Sequence, residues 1–371
     1  MAPIRAGRKA YLDWLRGVAV VIMVTAHVTD SWTRLEDHTR TLYMYTVFIA
    51  GLAAPLFLFL AGLTLAMAAC SRALRVGHSE AAAQTRKRAL QIFALAFLFR
   101  LQSQLLGWGP LINFLKVDIL NVMGIAMIAG AIMWGLSSNR IVRIALFAIA
   151  TTAIAMTTPL VREAGVLAAL PDAIEAYIRP MPGRTTFALF PWSGFLLAGA
   201  IAGELVFAAR TESQERRLQA SLLAAGLAGA VVAHEFSFRT SIYPVANFWT
   251  SSPTFFFIRL GFCTALVPIA RAVEAFHGFV RSRLGDRLPP GSPGLVVTTL
   301  GRSSLFVYWI HVEMAYGAVS LPLKHALPLE ISLIATVALL ALLYQITKWK
   351  DRTMAGRELK GVWRFVAPVL K

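Results

Sequence analysis

Apolar residues in this chain come in long blocks. Ten stretches, roughly 11–33, 43–70, 88–107, 116–136, 140–158, 187–209, 217–233, 252–276, 295–320 and 328–349, alternate with short segments rich in Arg, Lys, Pro and Gly. About 20 apolar residues of helix cross about 30 Å of hydrocarbon. Open strands would leave backbone groups unpaired in lipid, so helices are the spanning form. The pattern predicts an all-α, polytopic integral membrane protein of about ten transmembrane helices, with 1–371 forming a single transmembrane domain. Two connections stand out. The stretch at about 159–186 carries Pro159, Pro171, Pro180, Pro182 and Gly183 and is expected to hold a short helix around 163–178. The segment 277–294 is Pro/Gly-rich and expected to be flexible.

Charge adds an orientation. Only 15% of residues are charged, against roughly 25% in soluble domains. Yet 36 Lys and Arg face 19 Asp and Glu, a net charge of +17. A basic excess can signal nucleic acid or membrane. Here it sits in short loops between apolar runs, so no nucleic-acid partner is expected. With the N-terminus inside, the inner loops hold about threefold more Lys and Arg than the outer ones, and no loop runs against that bias. The N-terminus and C-terminus are both predicted to be cytoplasmic, with a basic tail at about 350–371 against anionic membrane lipids. No cleavable signal peptide is expected. Cys70 and Cys263 lie inside apolar runs, which excludes a disulfide framework or metal knuckle. No zinc signature, phosphate-binding P-loop or Gly-x-Ser-x-Gly elbow is present, and no metal is expected.

A charged side chain within a span costs about 2.5–3.5 kcal/mol on insertion scales, so function is sought at such positions. In the first span, YLDWLRGVAVVIMVTAHVTDSW, Arg16 and His27 are eleven residues apart. That is three turns plus about 20°, so they share a face about 16 Å apart, with Val20 and Met23 between them. Asp13 and Arg16 form an i,i+3 pair at the inner end, and His27 and Asp30 another at the outer end. Asp30 can hold the His27 imidazole in one tautomer, as a catalytic base requires. A snorkelling pair at Asp13 and Arg16, or a histidine that merely bridges helices, is the structural alternative. In the ninth span Ser304, Tyr308 and His311 fall at i, i+4 and i+7, a polar stripe that can line a cavity or bond a neighbouring helix. Arg100 lies in the third span, Asp118 and Asn121 open the fourth, Trp192 starts the sixth and Arg259 lies in the eighth. Arg100 and Asp118 can pair, and Trp192 can be an interface anchor. His38 follows the first span in a short outer loop.

The run LDWLRGVAVVIMVTAH, with APLFLFLAGLTLA, KVDILNVMGIA, FALFPWSGFLLAGA, SPTFFFIRLG and GRSSLFVYWIH in that order, resembles bacterial relatives of heparan-α-glucosaminide N-acetyltransferase. The resemblance covers nearly the whole chain. The Arg16 to His27 spacing is also similar to that of the wider superfamily of transmembrane acyltransferases that modify cell-surface glycans. It implies a multi-pass enzyme of the bacterial inner (cytoplasmic) membrane, with acetyl-CoA or another acyl-CoA as co-substrate and an extracytoplasmic saccharide as acceptor, and allows a homodimer. It implies a donor-binding role for Arg16 and an acyl-transfer role for His27; the polar residues that share their faces extend the expectation to Asp13, Ser304 and Tyr308 for the donor and to Asp30, His38 and His311 for catalysis. Arg100, Asp118, Asn121, Trp192 and Arg259 would bind substrate. Animal members have an asparagine where His27 falls and an essential histidine in the following loop, which makes His38 a second candidate for the acyl-transfer role.

Intramembrane Arg and His would also serve a secondary transporter or flippase for a small anionic or lipid-linked substrate. A scaffold subunit would leave polar groups at both ends of one helix face unexplained.

Overall fold

The computed structural model describes residues 9–107, 114–284, 293–355, 366 and 369. The described residues form helices without a strand, and each of the ten apolar segments contains a helix. In chain order these are α1 (Ala10–Trp32), α2 (Thr41–Ala50), α3 (Ala53–Val76), α4 (His78–Gly107), α5 (Ile119–Gly135), α6 (Arg140–Glu163), α7 (Asp172–Ile178), α8 (Leu189–Ala208), α9 (Glu212–Ser237), α10 (Pro253–Leu284), α11 (Pro293–Arg302), α12 (Ser304–Tyr316) and α13 (Leu329–Met354). Among the described residues seven spans are long and apolar enough to cross a membrane, one of them the α2–α3 stretch Thr41–Val76. The α11–α12 pair makes an eighth if it counts as one. Of the other two segments, α5 is 17 residues long, and α4 carries Arg86, Lys87, Arg88 and Arg100 along its length.

The ninth segment departs from the expected continuous helix. It breaks at Ser303, where φ is −106° and ψ 28°, and α11 and α12 meet at a bend of 92°. The long connection behaves as expected, with a 3-10 turn at Gly165–Ala169 followed by α7. Much of the basic tail and 285–292 lie outside the described residues, while 277–284, expected to belong to a flexible connection, continues α10 as helix.

The chain divides into two compact units, one of 55–101 and 110–269, the other of 9–54, 102–109 and 270–371. In the first, α3 and α8 touch backbone to backbone, since a Cβ on Gly199 would lie 1.9 Å from the Phe59 carbonyl oxygen. Small residues at membrane helix contacts permit such approach. Its inner polar knot is Glu204, 1% exposed, which accepts from Arg143 Nε at 2.7 Å, Arg143 Nη2 at 2.8 Å and Trp134 Nε1 at 2.7 Å. Cys70 lies beside this knot, and both cysteines are free and buried.

In the second unit α1 crosses α11 at contact distance. A Cβ on Gly301 would stand 1.8 Å from the Asp13 carbonyl oxygen and 2.5 Å from the Gly17 amide nitrogen. The loop after α1 is fastened by Asp37, 5% exposed, which accepts from Arg34 Nε at 3.0 Å, Arg40 at 3.3 Å and the Leu329 amide at 2.9 Å. Asp37 thus caps the N-terminus of α13. The Arg34 guanidinium and the Leu329 amide hold its carboxyl below the usual carboxylate range.

Candidate functional site

The second unit assembles its polar groups along α1. Val20 and Met23, the residues between Arg16 and His27, are buried, so the predicted stripe faces protein. At its far end His27 Nδ1 lies 2.9 Å from His311 Nε2. The two rings are 7° from parallel with centroids 5.0 Å apart, a separation that an in-line hydrogen bond between nearly coplanar imidazoles produces. His311 is fully buried, and its Nδ1 lies 2.8 Å from the Val307 carbonyl oxygen one helical turn back.

These contacts settle the proton positions of the neutral pair. A carbonyl oxygen only accepts, so His311 Nδ1 carries a hydrogen and donates to Val307. The neutral His311 ring then presents a lone pair at Nε2. His27 Nδ1 must donate into it, which leaves His27 Nε2 unprotonated. The relay from His27 through His311 to Val307 therefore fixes the tautomer in which His27 Nε2 can accept a proton or attack an electrophile.

The orienting partner differs from the expected one. Asp30 Oδ2 accepts from the Tyr316 hydroxyl at 2.7 Å, and His311 takes the place beside His27. The i,i+3 spacing brings Asp30 near enough to His27 for a Coulombic interaction, but the phenol on α12 captures the carboxylate. Tyr316 also meets the His27 ring edge-on at 5.3 Å. Trp32 Nε1 donates to the Ala315 carbonyl at 3.0 Å, so three side chains of α1 fasten to α12 around His27. Tyr308 meets His311 edge-on at 5.8 Å, and Ser304 opens α12.

At the end of α1 expected to be cytoplasmic, Asp13, 2% exposed, faces Arg16 at 3.5 Å and Arg302 at 3.7 Å. Next to Arg302, Ser303 Oγ accepts from Lys350 Nζ at 2.8 Å. The helix break thus gathers basic side chains from α1, α11 and α13. Arg302 and Lys350 were missed in the sequence. Arg302 reads there as one more in-span charge, and Lys350 as part of a basic tail.

His38 makes other contacts. It stacks on Tyr43 at 4.1 Å and bonds the Thr33 carbonyl at 3.2 Å, an oxygen that His325 also reaches at 3.2 Å.

The first unit holds the remaining candidates. Arg100 pairs with Asp118 at 2.9 Å, as expected. Asp118 also caps α5, accepting from the amides of Leu120 at 2.9 Å and Asn121 at 3.3 Å, while the Asn121 side chain returns a bond to the Asp118 amide. This reciprocal capping box gives both residues a structural task. Asn121 also donates to the Tyr177 hydroxyl at 3.1 Å, tying α5 to α7. Arg259 stands over the Phe255 ring at 3.9 Å and the Trp192 ring at 6.0 Å. It has no carboxylate partner among the described residues, so aromatic faces supply its electrostatic support. Trp192 packs edge-on against Phe187 at 4.8 Å.

A family model described as "Heparan-alpha-glucosaminide N-acetyltransferase, catalytic" matches residues 8–233. The match holds Arg16, His27, Asp30, His38, Arg100, Asp118, Asn121 and Trp192, while Arg259, Arg302, His311 and Lys350 fall beyond it. No curated protein matches the chain.

Proposed function

The chain belongs to the heparan-α-glucosaminide N-acetyltransferase catalytic family and is a membrane acetyltransferase, and from that premise we propose that it moves an acetyl group from cytoplasmic acetyl-CoA to a saccharide on the other side of the membrane. The observation that carries this reading is the contact of His27 Nδ1 with His311 Nε2, backed in turn by the Val307 carbonyl, from which an unprotonated His27 Nε2 follows. As an amine or hydroxyl of the acceptor attacks the thioester carbonyl, His27 Nε2 takes its proton. The carbon–sulfur bond then breaks, and the departing thiolate recovers that proton from the His27 imidazolium. The same nitrogen can instead attack the thioester first, expelling the CoA thiolate; the acceptor then attacks the acetyl-histidine, the bond to Nε2 breaks, and the acceptor's proton passes to the thiolate. Trapping of an acetyl-histidine after a single turnover would separate the two routes.

The inner-end cations Arg16 and Arg302 both lie beside Asp13, and guanidinium groups gathered there suit the phosphates of CoA. Ser304 and Tyr308 follow them along α12 toward His311, on the path that the thioester arm would take. On the acceptor side we assign Arg100, Asp118, Asn121, Trp192 and Arg259. His38 serves as a reserve base in the loop beyond α1. The site belongs to one transmembrane domain of about ten helices with both termini cytoplasmic, in a bacterial inner membrane, and a homodimer is compatible with it.

The test is acetyl-CoA binding to the purified protein in detergent, wild type beside Arg16→Ala. Saturable binding that weakens in the variant supports the reading, and no binding at millimolar acetyl-CoA overturns it. One observation favours a second reading. Helices broken within the membrane are a transporter feature, and α11–α12 is bent by 92°. Substrate flux in proteoliposomes without acetyl transfer would establish the transporter or flippase instead.

A further inference from the structure

In the first unit α9 and α10 approach closely at one point and then separate. A Cβ on Gly226 would lie 2.7 Å from the Gly261 carbonyl oxygen, so the helices touch there through backbone. Beyond that point, toward the end of α9 and the start of α10, they enclose a cavity of about 730 Å³. Ligand cavities run at about 300–1,000 Å³. The connection 238–252 closes its side, where the Tyr243 hydroxyl donates to the Met156 carbonyl of α6 at 2.6 Å.

The lining changes character along its length. Val232, Phe236, Phe257 and Leu260 supply apolar walls along helices that are long and apolar enough to span a membrane. Where the 238–252 connection meets the helix ends, the lining adds Arg239, Thr240, Ser241, Ser252 and Thr254. Arg239 is exposed and has no ion pair among the described residues. Trp249 and Phe238, 58% and 72% exposed, lie in the same connection, as aromatic side chains do at the headgroup level of a bilayer.

We propose that this cavity is a binding site for one anionic glycerophospholipid, with an acyl chain between α9 and α10 and the phosphate at Arg239. A long apolar slot with one polar end fits an amphiphile, and an unpaired cation at that end fits an anionic headgroup. None of the lining residues is among the acyl-transfer residues already assigned, so the inference stands whether or not the acetyltransferase reading does.

Native mass spectrometry of the full chain, titrated with phosphatidylglycerol or phosphatidylcholine in detergent, tests it. Wild type should take up one phosphatidylglycerol saturably, about tenfold more tightly than phosphatidylcholine, the difference that one charge-assisted contact makes. Arg239→Gln should abolish that preference. Gly229→Phe should abolish the adduct itself, because Gly229 lines the cavity and a Cβ there meets nothing within 4 Å. Retention of the adduct in Gly229→Phe overturns the site. Equal binding of the two lipids by wild type overturns the headgroup assignment. A wild-type dimer without lipid that becomes a monomer in Gly229→Phe overturns both, and gives this face to a second copy of the chain.

Discussion

Replacing His311 by Ala removes the acceptor of the His27 Nδ1 hydrogen and frees the His27 ring to adopt either tautomer. Two magnitudes decide the outcome. Hydrogen bonds between membrane helices average about 0.6 kcal/mol and reach about 1–2 kcal/mol in favourable cases, so the variant should still fold and insert. A positioned general base contributes about 10²–10⁴-fold to rate, and that advantage depends on presenting the right nitrogen. His311 is not proposed to touch substrate, so acetyl-CoA and acceptor should bind as before. The expected result in a steady-state acetyl-transfer assay is a fall in kcat of roughly 10²-fold or more with little change in KM. His311→Gln, whose amide oxygen can accept the same hydrogen, should recover part of the loss. The melting temperature in detergent should stay within a few degrees of wild type. Retention of kcat within about threefold in His311→Ala would refute the relay, whatever His27→Ala does.

Three further outcomes rest on packing and charge. Gly301→Ala sets a methyl group against the backbone of Asp13 and Gly17, which no rotamer change relieves. Overpacking of this kind costs about 1–3 kcal/mol or more, and a wild-type melting curve would contradict the crossing. Glu204→Ala strands Arg143 and the Trp134 N–H in the first unit. Breaking a buried pair costs about 3–5 kcal/mol, so loss of the folded protein from size-exclusion profiles is expected, and a shift below about 1 kcal/mol would contradict it. Asp37 sets an acid limit. Its folded-state pKa lies below the unfolded value near 3.9, so its contribution is complete above about pH 4 and is lost as pH falls through the lower folded value. The melting-temperature gap between wild type and Asp37→Asn should be constant from about pH 5 to 8 and shrink below about pH 4. A gap that closes near neutrality would assign the stabilisation to another group.

Much of this architecture is legible in one dimension because lipid imposes so strict a rule on composition. Every apolar block contains a helix, and the short helix expected around 163–178 is present as a 3-10 turn and α7. The Arg100–Asp118 pair was likewise readable, since two opposite charges in adjacent apolar segments have few other partners. The bend at Ser303 was not. GRSSLF contains no proline and reads as helix, and the break accompanies tertiary contacts. Gly301 is held against the α1 backbone, and the Ser303 hydroxyl takes the Lys350 ammonium. The pairing of Asp30 was misjudged for a related reason. Helix periodicity names neighbours on the same helix, whereas Tyr316 reaches Asp30 from 286 residues away.

The His27–His311 bond shows why the site was half legible. Sequence periodicity identified each histidine separately, one on the face shared with Arg16 and one on the stripe with Ser304 and Tyr308, but could not say that the faces meet. The broken pair α11–α12 brings them together by holding α1 at two places, a backbone crossing at Gly17 and Gly301 and a histidine bond at His27 and His311. Those anchor points are ten residues apart along α1, about 15 Å of helix rise. The inner anchor lies beside the cations that would meet CoA phosphates, and the outer one carries the nitrogen that would handle the acceptor's proton. A single helix fixed at both ends by one partner keeps these two tasks at a constant distance. Donor binding at one end can then present the thioester at the other without either element having to move along its length.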